Sequence, residues 1–106
     1  MRIDFSTTMK QLDGVEIPRG NTPLRLSHVV CDALCGNFDD EKQLSGDEKA
    51  RRFVIATRIY DQGVVDVSAE DIVLFKKLIG KGFSPLIVGQ VFALLDPKPT
   101  AVDKSA

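Results

Sequence analysis

The side chains best suited to chemistry are His28, Cys31 and Cys35. They stand at i, i+3 and i+7 in an apolar run, so on a helix an imidazole and two thiols would share a face. Zinc takes such donors, and Asp32 or Asp39 stands near enough in sequence to be a fourth. A structural zinc site draws its ligands from separate segments, however, and the chain has one histidine and two cysteines in all. Cysteines at the margin of an apolar stripe ordinarily pack as small hydrophobes. Two thiols on adjacent turns of one helix are also poorly placed for a disulfide. His28, Cys31 and Cys35 are therefore read as reduced packing residues, with metal the lesser alternative and no cofactor expected. A nucleophile and its base would have to come from the same three side chains, and no third group stands by to orient the imidazole. Asp39, Asp40 and Glu41 run together where solvation is their expected role, without the opposed environments that acid–base catalysis needs. The residue types point away from an enzyme.

The charge balance, 14 basic against 15 acidic residues for a net −1, gives no general attraction to nucleic acid or anionic lipid. Lys49, Arg51, Arg52 and Arg58 do gather on one segment, but Asp47, Glu48 and Asp61 dilute them, and a solvated face is expected there. Lys76 to Val91 has the outline of a helix-turn-helix, yet Leu86, Ile87 and Val88 fall where base-reading side chains should be, leaving Gln90 alone. Nucleic acid is not the expected partner. No apolar run approaches the ~20 residues that span a bilayer, and no secretory leader is visible, so the chain is expected to be soluble and cytoplasmic.

The elements that would position these groups follow from patterning. Ile3 and Phe5 alternate with polar residues as on a strand, and Asp13-Gly14 suits a tight hairpin returning through Val15 and Ile17. Leu24 and Leu26 could add a third short strand, with Ser27 as cap of a helix reaching Cys35 and Gly36 beyond it. Residues 37–43 read as an exposed connection. Ser45-Gly46-Asp47-Glu48 is a capping box preceded by Leu44 as staple, and predicts a helix to about Asp61 with Phe53, Ala56, Ile59 and Tyr60 buried. Val64, Val65 and Val67 are β-prone and could join the hairpin. Ser68 caps a further helix with Lys76 and Lys77 in its last turn, and Gly80-Lys81-Gly82 turns the chain.

The last helix opens at Ser84-Pro85, closes at Asp96-Pro97, and carries no charge between them. A helix apolar on nearly all sides is either central core or gives one face to a partner. Gly89 and Ala93, four apart, would let a neighbouring helix approach closely. That neighbour is expected to be the Ser68 helix, or else a second copy or a foreign partner. Tyr60, Phe83, Leu86 and Phe92 are the candidate anchors, with Gly89 at the close approach and Arg51 and Arg58 as rim contacts.

Three stretches, Ile3-Asp4-Phe5 with Leu12-Asp13-Gly14, Leu44 to Lys49, and Gly82 to Gln90, resemble small proteins encoded by tailed bacteriophages. More faintly, the hairpin followed by helices resembles the chaperones that hold tail proteins before polymerisation. The resemblance implies a phage product in the bacterial cytoplasm that binds and modulates or inhibits a host protein, or alternatively a virion assembly chaperone. The overall expectation is one α+β domain over 1–96, a small N-terminal β-hairpin packed on about four helices with a C-terminal helical hairpin. Residues 97–106 are expected to be a disordered tail. The expected activity is non-catalytic protein binding, with a homodimer as one form of it.

Overall fold

The computed structural model describes residues 1–95. It is an α+β fold, with four short strands, β1 (Arg2–Asp4), β2 (Pro18–Arg19), β3 (Thr22–Pro23) and β4 (Val64–Asp66), and four α-helices, α1 (Leu26–Cys35), α2 (Gly46–Ile59), α3 (Ala69–Gly82) and α4 (Pro85–Leu95). A 3-10 turn at Asp39–Glu41 lies between α1 and α2. Helix α1 packs on α2 and α3, and α4 packs on α3. The expected chain stop at Asp96-Pro97 and the tail at 97–106 lie outside the described residues.

The Asp13-Gly14 turn forms. Gln11 N–H donates to the Val15 carbonyl at 2.8 Å, Ile17 N–H donates to Met9, and Gly14 sits at φ 90°, where a side chain would be strained. Ile3, however, pairs across the chain with Val65, so β1 and β4 make an antiparallel ladder of Arg2, Ile3 and Asp4 against Asp66, Val65 and Val64. The valines after α2 therefore join the N-terminal strand itself. Phe5 continues from that ladder into the core, where its ring meets Phe75 of α3 edge-on at 6.4 Å. Such fully buried aromatic side chains contribute about 1.5–3 kcal/mol each.

The start of α1 departs from expectation. Arg25, not Ser27, is the N-cap, because the orphan donors of the first turn find distant carbonyls: Leu26 N–H donates to Thr7 and Ser27 N–H to Phe5. Ser27 thus lies inside the helix, and its buried hydroxyl has no partner among the described residues. The Ser45 and Ser68 caps do form, accepting from Glu48 N–H at 3.1 Å and Asp71 N–H at 3.0 Å. Only Ser68 has the reciprocal arm, from its own N–H to the Asp71 carboxylate. At Ser45 the Glu48 carboxylate instead turns to Arg51 and Arg52.

Two further expectations are corrected. Helix α3 runs through Gly80 to Gly82 instead of turning there, with neither glycine at positive φ; Gly82 leaves room for the Phe38 ring, which a Cβ would approach within 3.1 Å, whereas a Cβ on Gly80 would meet Phe92 at an ordinary 3.7 Å. The core stripe of α2 is Arg52, Ile55, Ala56 and Ile59, while Phe53 is 61% exposed and Tyr60, just past the helix, 49% exposed.

Candidate functional site

His28 begins the site because its imidazole is fixed at both ends. Nδ1 accepts the Arg25 N–H at 3.1 Å, so in the neutral ring the proton sits on Nε2, which faces the Asp61 carboxylate at 3.7 Å. No lone pair is left for a metal or a substrate proton unless the first turn of α1 gives up its acceptor. Asp61 holds its position at φ 57°, a left-handed conformation that aspartate tolerates better than most residues. The Cys31 thiol donates to the Ala56 carbonyl at 3.4 Å. Burial, reinforced by the negative potential of Cys35 and Asp32, pushes it up to about 12, so at neutral pH it is a protonated packing group. Cys35 is exposed one turn on. Among the described residues no group of three or more histidine, cysteine or acidic side chains is placed to hold a metal ion.

Of the acidic run, Asp39 and Asp40 are exposed as expected, while Glu41 belongs to a built network. Arg52 is 3% exposed and makes a two-pronged contact with Glu41, Nη1 to Oε1 and Nη2 to Oε2, each at 2.8 Å. Its Nε reaches Glu48 at 3.3 Å, and Lys81 of α3 approaches both Asp40 and Glu41, at 3.0 and 3.4 Å. The Arg52 guanidinium, helped by Lys81, holds the Glu41 carboxyl down at about 2. Arg51 and Arg58, proposed as rim contacts, are engaged within the chain, with Glu48 at 3.0 Å and Asp71 at 3.7 Å.

The candidate anchors do not form one surface. Tyr60 lies beside α1, where its ring stands 6.0 Å from that of His28. Phe83, Leu86 and Phe92 are half-buried at the α3–α4 end, with Phe83 against the core and Phe92 beneath the Lys76 ammonium at 5.1 Å. Nothing lies within 4 Å of a Cβ built on Gly89, so close packing of α3 at that glycine, the expected arrangement, does not occur. Helix α4 buries Ile87, Val91 and Leu95 instead. The Ser84 hydroxyl caps no N–H among the described residues; its carbonyl accepts from Ile87 and Val88. Gln90, the lone base-reader of the helix-turn-helix outline, is held in a two-way contact with the Lys10 backbone, at 2.8 and 2.6 Å.

What the fold does assemble is a groove along the α1–α2 seam. Its middle, about 440 Å3, is walled by Phe53, Thr57 and Tyr60 on one side and Cys31, Asp32 and Cys35 on the other, over Ala56. At Cys35 and Phe53 it meets a hollow of about 480 Å3 that reaches Lys42 and Lys49. At Tyr60 it meets another that reaches Arg25 and Asp61. Sequence reasoning reached Tyr60 but placed Phe53 in the core. The available signal was Arg52 at the i, i+3, i+4, i+7 stripe of Arg52, Ile55, Ala56 and Ile59, with Glu48 one turn before it as a partner for burial.

Among the described residues no helix is long and apolar enough to cross a membrane. No family model, curated protein or solved structure matches the chain, so its function is argued from this geometry.

Proposed function

We propose that the chain is a small, non-catalytic protein-binding module that receives its partner in the α1–α2 groove. The observation that carries this reading is the exposure of Phe53 and Tyr60, 61% and 49%, on either end of an apolar hollow. Aromatic side chains beside a pocket are the commonest binding anchors, and a contiguous apolar patch left open on a small domain marks an interaction site. With Nδ1 of His28 held by the Arg25 N–H and Cys31 buried and protonated, neither side chain is placed to act as base or nucleophile in the groove. The resemblance to phage products supports a bacterial host protein as the partner, bound so as to modulate or inhibit it, and a bacterial cytoplasmic setting.

The test is affinity capture from bacterial lysate, with and without phage particle proteins, using wild type and the Phe53→Ser/Tyr60→Ser double variant. One stoichiometric host protein, lost with the double variant while the fold is kept, is the expected result. A phage structural protein captured in its place would favour the assembly chaperone. Equal capture by both forms would refute the groove, and capture of nothing by wild type would refute protein binding.

A further inference from the structure

The groove has a charge pattern as well as an apolar middle. The arginines of α2 are spent inside the chain: Arg51 on Glu48, Arg58 on Asp71, and Arg52, which lines the hollow at the Lys42 end, on Glu41 and Glu48. Along the groove Arg19 is likewise spent on Asp32, at 3.0 Å. Lys42 and Lys49 at one end and Arg25 at the other have no acidic partner among the described residues. Of the acids lining the same hollows, Glu41 is matched by Arg52 and Lys81 and Asp32 by Arg19, while Asp39 has no cationic partner among the described residues and Asp61, in the hollow that Arg25 lines, faces an imidazole that offsets its charge only when protonated. At one end, therefore, two cations, Lys42 and Lys49, stand against one unmatched acid, Asp39, while at the other Arg25 shares its hollow with Asp61, and the apolar floor between them carries no unmatched charge.

The walls also decide the shape of what fits. Along the apolar middle both are helices, whose backbone groups are bonded internally, so that stretch offers side chains and not a strand edge to which an extended peptide could add. A helix laid between two helices needs only side-chain contacts. From Lys49 to Tyr60 the seam is about 16 Å long at 1.5 Å per residue, the length of three turns.

Resting on the protein-binding reading, we infer that the α1–α2 groove takes an amphipathic α-helix of about three turns from a partner protein. Apolar side chains of its central turn sit between Phe53 and Tyr60, and carboxylates in its outer turn at one end face Lys42 and Lys49. Tyr60 and Thr57 line the same hollow with their polar groups; the Thr57 hydroxyl donates to the Val54 carbonyl at 2.7 Å and keeps its acceptor capacity for a polar flank of that helix.

Site-specific photocrosslinking of the full chain in bacterial lysate tests this. A benzophenone side chain replaces Phe53, which is exposed and so costs the core nothing, and in a second protein it replaces Gly89 on the open face of α4. The crosslinked peptide is sequenced by mass spectrometry. The expected result is one partner segment captured from position 53, of helical periodicity with apolar residues flanked by Asp or Glu. Its yield should fall about threefold or more when Lys42→Glu and Lys49→Glu are added, or when salt is raised from 50 to 500 mM. A segment that lacks acids, a basic segment, a second copy of this chain, or a yield indifferent to the lysines overturns the inference. Crosslinks from position 89 alone overturn it while leaving protein binding intact, and no crosslink from either position overturns both.

Discussion

Replacing Glu41 by glutamine tests the ion network with a change of one charge and almost no volume. In the native chain Glu41, whose side chain is 10% exposed, accepts two 2.8 Å bonds from a guanidinium that is itself enclosed. Breaking such a buried pair from one side costs about 3–5 kcal/mol, because the other charge is left desolvated. Here the loss is softened, since Glu48 still reaches Arg52 Nε at 3.3 Å and a glutamine carbonyl can keep one of the two bonds. The carboxyl gives a second bound: lowered from 4.5 to about 2 by Arg52 first and Lys81 second, it corresponds to at most about 3.5 kcal/mol. The expected loss for Glu41→Gln at pH 7 is therefore about 2–3 kcal/mol, a large share of the 5–15 kcal/mol typical of a domain. The sign of the pH dependence is fixed by the depressed value. The contribution is complete above the unfolded carboxyl's 4.5 and is lost as pH falls through the folded value near 2. Urea unfolding of wild type and variant across pH 2–7 should show the gap between them closing over that window. A gap below about 0.5 kcal/mol at pH 7, or one that does not narrow in acid, would refute the assignment of Arg52 to Glu41.

Other outcomes follow from the same geometry. Ser68→Ala should cost about 1–2 kcal/mol and Ser45→Ala about 0.5–1, the difference reflecting the reciprocal arm present only at Ser68, measured by chemical denaturation. Gly89→Ala should stabilise by about 0.5–1 kcal/mol, since a methyl meets nothing within 4 Å and alanine is the better helix former; destabilisation would mean that a neighbour packs there. A thiol reagent at neutral pH should label Cys35 and leave Cys31 unlabelled until the protein unfolds. A rise from 9.0 to about 12 lowers the thiolate fraction about a thousandfold, and rapid double labelling of the folded protein would contradict the buried Cys31–Ala56 contact.

The features legible in the sequence are those decided within a turn or two of chain. Ser45 and Ser68 cap helices because their partners are three residues away, and Asp13-Gly14 turns because glycine at φ 90° is a local fact. Where the deciding partner is remote, the reading changes. Ser27 has the right residue type for a cap, but carbonyls of Phe5 and Thr7, some twenty residues earlier, accept the N–H groups of Ser27 and Leu26, and the helix begins after Arg25 with Ser27 already inside it. Ile3 pairs with Val65 across most of the chain, which no local pattern encodes. On α2 the two stripes share Ala56 and Ile59, the expected one adding Phe53 and Tyr60, the observed one Arg52 and Ile55. Hydrophobicity favours the first, yet Glu41, eleven residues before Arg52, neutralises the arginine and turns the helix so that the aromatics face out. The candidate site was hidden for the same reason, since an exposed Phe53 depends on a buried Arg52.

The most direct measurement is hydroxyl-radical footprinting of the purified complex against the free protein. Protection of Phe53 and Tyr60, with Leu86 and Phe92 of α4 reacting as before, is the result required if partners dock on the α1–α2 groove. Protection of Leu86 and Phe92 with Phe53 unchanged would contradict it and move the binding surface to α4.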